Sequence, residues 1–183
     1  MCYNPARHRV PTTRQFVVKW TLETKGLPNK TKIVLGADHA GFALKEKVRE
    51  YLTSKGLEVD DQGPKTPDPV DYPDFAEKVA TRVAAKEADY GVLMCGTGLG
   101  VAMAANKVPG IRAATCNDTL SAHFARAHNN ANVLALGGRL VDDATARKIL
   151  DVWLATPFEG GRHARRVEKI AAIDQKHHSE KTE

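Results

Sequence analysis

Between Lys32 and Gly138 short apolar runs alternate with segments whose apolar residues return every three or four positions. The runs are KIVLGAD (32–38), LEVDDQG (57–63), YGVLMCG (90–96), IRAATCN (111–117) and NVLALGG (132–138). Each has strand length and ends on turn formers. Helices are predicted between them. In FALKEKVREYLTSKG, Leu44, Val48, Tyr51 and Leu52 share one helical face and Gly56 supplies a stop. In PDFAEKVATRVAAKE, Phe75, Val79 and Val83 recur every four residues. Further helices are predicted over 99–107, 119–128, 142–155 and 162–176. Strands without a polar face, alternating with helices, imply an α/β fold: a single-domain, doubly wound (Rossmann-like) five-stranded parallel sheet with helices on both faces. The domain is expected over 31–176, after a basic N-terminal extension (1–30) and before a frayed C-terminal tail (177–183).

Charge changes this picture little once it is located. The chain has 27 Lys and Arg against 22 Asp and Glu, a net charge of +5. Residues 1–30 hold six of the basic residues and one acid, leaving 21 of each sign elsewhere. The expected domain is therefore neutral and makes no electrostatic claim on nucleic acid. Residues 1–30 lack the serine-rich, arginine-faced pattern of a transit peptide, and disorder is the expectation for them. No run approaches the ~18 apolar residues of a membrane span. Cys2, Cys95 and Cys116 show no metal-ligand spacing, and an odd count argues against a disulfide framework. A reducing, cytoplasmic setting is expected.

Ligands of open α/β sheets bind beyond the carboxyl ends of the strands. The residues that follow the apolar runs therefore matter most: Asp38-His39, Cys95-Gly96-Thr97, Asn117-Asp118 and Gly137-Gly138-Arg139. The loop CGTGLG directs backbone N–H groups into a helix start, which suits an anion. It is no Walker A loop, because no lysine follows. The dinucleotide pattern GxGxxG fails in both frames, at Val101 and at Met103. Asp118, about twenty residues on, keeps a nucleotide reading open. Cys95 adds chemistry, since free N–H groups at a helix start favour thiolate. A thiolate beside an anion cradle suits proton abstraction next to a carbonyl, where the charge reappears on oxygen. The same thiol would serve nucleophilic catalysis, and a small buried strand-end residue is the competing reading. His128 ends a predicted helix, where a cation is favoured without catalysis. Asp38 has the place of an ordinary turn residue. Arg162 and Arg166 lie four apart on one helix face. They are solvated charge unless, with Arg139, they fork a phosphate. Three functions stay open at this point: an isomerase, a non-catalytic nucleotide or sugar-phosphate binder, and a thiol redox or acyl-transfer protein.

The blocks GADHAGFALK, DYPDFA, CGTGLGVAMAANKVPGIRA, RAHNNANVLALGGR and FEGGRHARRVEKI, in this order, resemble ribose-5-phosphate isomerase type B from about Lys32 to Gln175. The resemblance implies interconversion of ribose 5-phosphate and ribulose 5-phosphate through a cis-enediol, without metal or coenzyme. It implies Cys95 as the base between C2 and C1, with Gly96, Thr97, Gly98 and Gly100 as the loop that stabilises the enediolate. It implies His128, helped by Asp38, as the acid/base that opens the furanose. It implies His39, Arg139, Arg162 and Arg166 as phosphate ligands, and Tyr72 and Asn129 as sugar contacts. A homo-oligomer, dimer or tetramer, with the site at the subunit boundary is implied as well. One branch of the family replaces the cysteine by a glutamate in the next helical turn. Here that stretch is LGVAMA, without an acid, so Cys95 is the remaining candidate. Galactose-6-phosphate isomerase subunits share the CGTG loop but typically lack the RAHN histidine, so His128 favours a pentose; allose 6-phosphate stays open as a further substrate.

Overall fold

The computed structural model describes residues 31–179; the expectations for 1–30 and for 180–183 lie outside the described residues. In chain order the elements are β1 (Lys32–Ala37), α1 (Phe42–Ser54), β2 (Glu58–Asp61), α2 (Tyr72–Ala84), β3 (Tyr90–Cys95), α3 (Leu99–Ala105), β4 (Ala113–Thr115), α4 (Thr119–Asn129), β5 (Val133–Gly137), α5 (Asp143–Ala155) and α6 (Arg162–Ser179). All five strands are parallel, in the order β2-β1-β3-β5-β4. The predicted elements are all present, and the differences lie at their ends. β2 and β4 keep four and three residues because the chain turns away early at the two sheet edges. α6 continues through Ser179, past the expected stop at 176.

Two apolar layers cover the two faces of the sheet. On one face Leu44, Val48 and Leu52 of α1 meet Ile149, Leu150 and Trp153 of α5 over Ile33, Leu35 and Leu134. On the other, Val79 and Val83 of α2 and Val101 and Ala105 of α3 pack on Val34, Leu93 and Val133. Successive side chains of a strand point to opposite faces, so β1 and β3 must be apolar at nearly every position. Leu93 and Met94 are both fully buried, in different layers.

The winding direction reverses between β1 and β3, which leaves a crevice at their carboxyl ends. Ala37 pairs with Met94 and Cys95 with Gly137. Three chain segments therefore leave the sheet side by side: 38–41, 96–98 and 138–140.

One buried charge braces this edge. Lys45 is fully buried in α1, and its Nζ donates to Asp61 Oδ2 and Glu46 Oε1, each at 2.7 Å. Burial pushes the Asp61 carboxyl up, but the Lys45 ammonium, the Gly63 N–H and Lys65 outweigh it and hold it below its ordinary value. For Glu46 the Lys45 bond leads and the direction is again downward. Depressed carboxyls contribute stability above their unfolded values and lose it as pH falls through the folded ones. Lys45→Met should leave Asp61 without its buried partner, at a cost of about 3 kcal/mol. Denaturant midpoints taken from pH 7 downward should show the acid-side loss of stability shrinking in that variant.

Candidate active site

β3 ends on Cys95 because the chain must break from the sheet there: Gly98 adopts a left-handed conformation, φ +79°, as the N-cap of α3. A side chain at Gly98 would strain the turn and bring its Cβ to 3.0 Å from the Leu136 carbonyl carbon. The turn folds the loop back over the strand end. The Gly98 N–H then donates to Cys95 Sγ at 3.1 Å. The sulfur thus accepts a backbone hydrogen bond from the loop that follows it. Thr115 Oγ1 donates to the Gly98 carbonyl at 3.0 Å and locks the turn from β4, two strands away.

The expected neighbours gather on this edge. Asp38 is buried and accepts the Gly41 N–H on Oδ1 at 2.8 Å, while its own N–H donates to the Met94 carbonyl. His39 follows on the surface, with Nδ1 3.4 Å from the Val70 backbone. Arg139 donates its N–H to the Gly96 carbonyl at 3.1 Å, and its guanidinium lies along the Gly96 backbone. Tyr72, at the start of α2, lays its ring on Gly100. A Cβ there would stand 2.8 Å from the ring, so only glycine admits this contact. Thr97 Oγ1 faces the Leu99 N–H at 3.4 Å. Thiol, carboxylate, imidazole, phenol and guanidinium thus surround one glycine loop. Asp118 does not join them: its carboxylate caps α4 by accepting the Ser121 N–H at 2.7 Å, which removes it as a ribose ligand.

His128, Asn129, Arg162 and Arg166 lie elsewhere. α4 returns antiparallel to the strands, so its last turn arrives at the amino edge of the sheet. Two arginines hold that turn. Arg112, just before β4, donates Nε to the Asn129 and Asn130 carbonyls. Arg126 donates to the Ala131 carbonyl and to the hydroxyl of Tyr90, the first residue of β3. Cys95 is the last residue of that strand. Five steps of ~3.3 Å separate the two edges by roughly 16 Å. One copy of the chain therefore carries the expected site residues in two groups at opposite edges of the sheet.

The second group has neighbours that sequence reading passed over. His163, on α6, is buried and stacks on His128 with ring centroids 4.1 Å apart and planes 6° from parallel. Glu159 Oε2 lies 3.7 Å from Nε2 of both rings. Burial, with His128 and Arg162 beside it, pushes the His163 imidazole below its ordinary range. Imidazole lone pairs lie in the ring plane, and two stacked parallel planes do not converge on one ion. Arranged so, the trio makes a poor metal clamp. The signal in the sequence was the four-residue spacing of Glu159 and His163 in EGGRH.

A topological crevice with a thiol on a glycine loop at its mouth suits the binding of a small anionic ligand. Residues 33–170 match the family model described as Ribose/Galactose Isomerase, and the chain belongs to that family. Ribose-5-phosphate isomerase B of Escherichia coli strain K12 is 48% identical over 145 residues, covering 79% of this chain and 97% of that protein. The structure of Clostridium thermocellum ribose-5-phosphate isomerase B superposes with a TM-score of 0.80 at 50% identity, over 80% of this chain and 99% of that one. That of Mycoplasma genitalium ribose-5-phosphate isomerase B with bound ribulose-5-phosphate gives 0.77 at 46% identity, over 80% and 97%.

Proposed function

We propose that this chain interconverts D-ribose 5-phosphate and D-ribulose 5-phosphate as a pentose-phosphate-pathway enzyme of the cytoplasm. The observation that carries the reading is the Gly98 N–H on Cys95 Sγ at the exit of β3. It puts a base and an anion cradle in one loop. His128 protonates the ring oxygen as the C1–O4 bond breaks, and Asp38 takes the proton from O1. The Cys95 thiolate then removes the C2 proton. The electron pair moves onto O1, where the N–H groups of Gly96 to Gly100 stabilise the enediolate. The O2 proton passes to O1, and return of the Cys95 proton to C1 as the C2 carbonyl forms gives the ketose. Each step uses side chains and backbone alone, so the scheme calls on no metal or coenzyme. Placing the phosphate between His39 and Arg139 on one side and Arg162 and Arg166 on the other suits guanidinium geometry.

The two half-sites support a homo-oligomer, in which the amino edge of one copy completes the carboxyl edge of another. The apolar surface agrees. Leu99, Met103 and Leu140 are exposed around the Cys95 loop, and Leu120 and Phe124 on α4. Closed two-fold pairing would cover both patches at once. Among the described residues no helix is long and apolar enough to cross a membrane.

The test is solvent exchange. In D2O, ribose 5-phosphate incubated with the protein should gain deuterium at C2, and the ribulose 5-phosphate formed should carry it at C1, both read by proton NMR. A binder without catalysis leaves both positions unlabelled. Substrate covalently held on Cys95, with no isomer formed, would mean nucleophilic chemistry instead.

A further inference from the structure

The stacked histidine pair raises a question of proton ownership. Arg162 Nε lies 3.3 Å from His163 Nε2 as its donor. An arginine nitrogen only donates, so His163 Nε2 is the acceptor and carries no proton. The His163 ring is then neutral, with its hydrogen on Nδ1. Glu159 has two Nε2 atoms at equal range, and only that of His128 has a proton to offer. The approach is not accidental. The Glu159 N–H donates to the Ala127 carbonyl at 3.0 Å, tying the loop between α5 and α6 to the turn that bears His128. On the other side, Phe124 lies against His128 with centroids 4.6 Å apart. The ring is thus held between two flat partners with one edge on a carboxylate. The charged and titratable groups about it are Glu159 from the loop, His163, Arg162 and Arg166 from α6, and His123 from α4.

We propose that Glu159 is a positioning residue for ring opening: it holds the proton on His128 Nε2 and leaves Nδ1 to work on the sugar, with the neutral His163 ring as backing. The inference rests on the ring-opening role of His128 given above. With Nε2 turned to the carboxylate, Nδ1 is the ring nitrogen left to meet the sugar ring oxygen. Arg162, donating to His163 Nε2, completes the cluster from the α6 side. The 3.7 Å separations suit a contact that tightens when substrate closes the site.

The experiment separates cyclic from open-chain chemistry. Ribose 5-phosphate enters as a furanose, whereas ribulose 5-phosphate is open, because its C5 oxygen carries the phosphate. Deuterium uptake at C1 of ribulose 5-phosphate therefore needs the base but not the ring opener. Glu159→Gln should lower kcat on ribose 5-phosphate about tenfold or more. C1 exchange should stay at the wild-type rate. Glu159→Asp should recover part of the loss. A Gln variant with unchanged turnover overturns the proposal. So does one whose exchange falls in step with turnover, which would make the role structural. His128→Asn, run alongside, keeps the two failures apart. If it loses exchange and turnover equally, the ring-opening reading fails and the proposal falls with it. If it loses turnover selectively and Glu159→Gln loses nothing, only the proposal falls.

Discussion

Cys95→Ala is expected to lower kcat on ribose 5-phosphate by about 10³-fold or more, near the upper range for loss of a positioned base. The reason is local and specific. LGVAMA contributes no carboxylate to the first turn of α3, so nothing next to the loop can take over. The fold should hold. The strand-end backbone bond, Gly138 N–H to the Cys95 carbonyl at 2.8 Å, involves no side chain. Losing one sulfur at an almost buried position costs about 1 kcal/mol, typical of a small truncation. Cys95→Ser is the sharper variant. It keeps volume and a hydrogen-bond acceptor for Gly98, but a hydroxyl stays protonated where a thiol ionises. Steady-state rates together with melting temperatures and ribose 5-phosphate binding decide the matter. An alanine variant that folds, binds and still turns over within about tenfold of wild type would take the base away from Cys95.

The parts of the site that could be read from sequence are those fixed by topology. A parallel sheet delivers every strand end to one edge, so Asp38, Cys95, Thr97 and Arg139 follow from the order of apolar runs alone. Strand limits were less legible because burial runs on beyond the regular strand. Ile111 and Cys116 are both buried, yet β4 spans only Ala113–Thr115 at the end of the sheet. The nucleotide alternative failed on a local contest: Asp118 satisfies a helix N-terminus, and sequence offers the same aspartate to either use. Glu159 was passed over because a lone exposed acid usually means a solvated surface. Its meaning comes from the return of α4 and α6 to one place, a contact between segments some thirty residues apart. Arg112 and Arg126 were missed for a related reason. They cap carbonyls of a helix end rather than pairing with acids, and charge patterning does not reveal that.

The separation of the half-sites leads to an expected result that is larger than any single pocket contact. Take one variant without the base, Cys95→Ala, and another without two arginines, Arg162→Ala with Arg166→Ala. Alone, each should be nearly inactive, the second through loss of phosphate binding and seen mainly in KM. If every site draws its thiol edge from one copy and its arginine edge from another, a mixed pair has one site with both lesions and one with neither. Random exchange of subunits makes half of the pairs mixed. One site in two of those is intact, so the mixture should recover roughly a quarter of wild-type activity. The recovery should require co-refolding or slow exchange, since the covering surface of Leu99, Met103, Leu140 and Phe124 must first separate. Sites built within single chains would instead give a mixture that is only the sum of two inactive proteins. Activity assays of the co-refolded pair, with sizes from light scattering, distinguish the two arrangements without any knowledge of how the subunits dock.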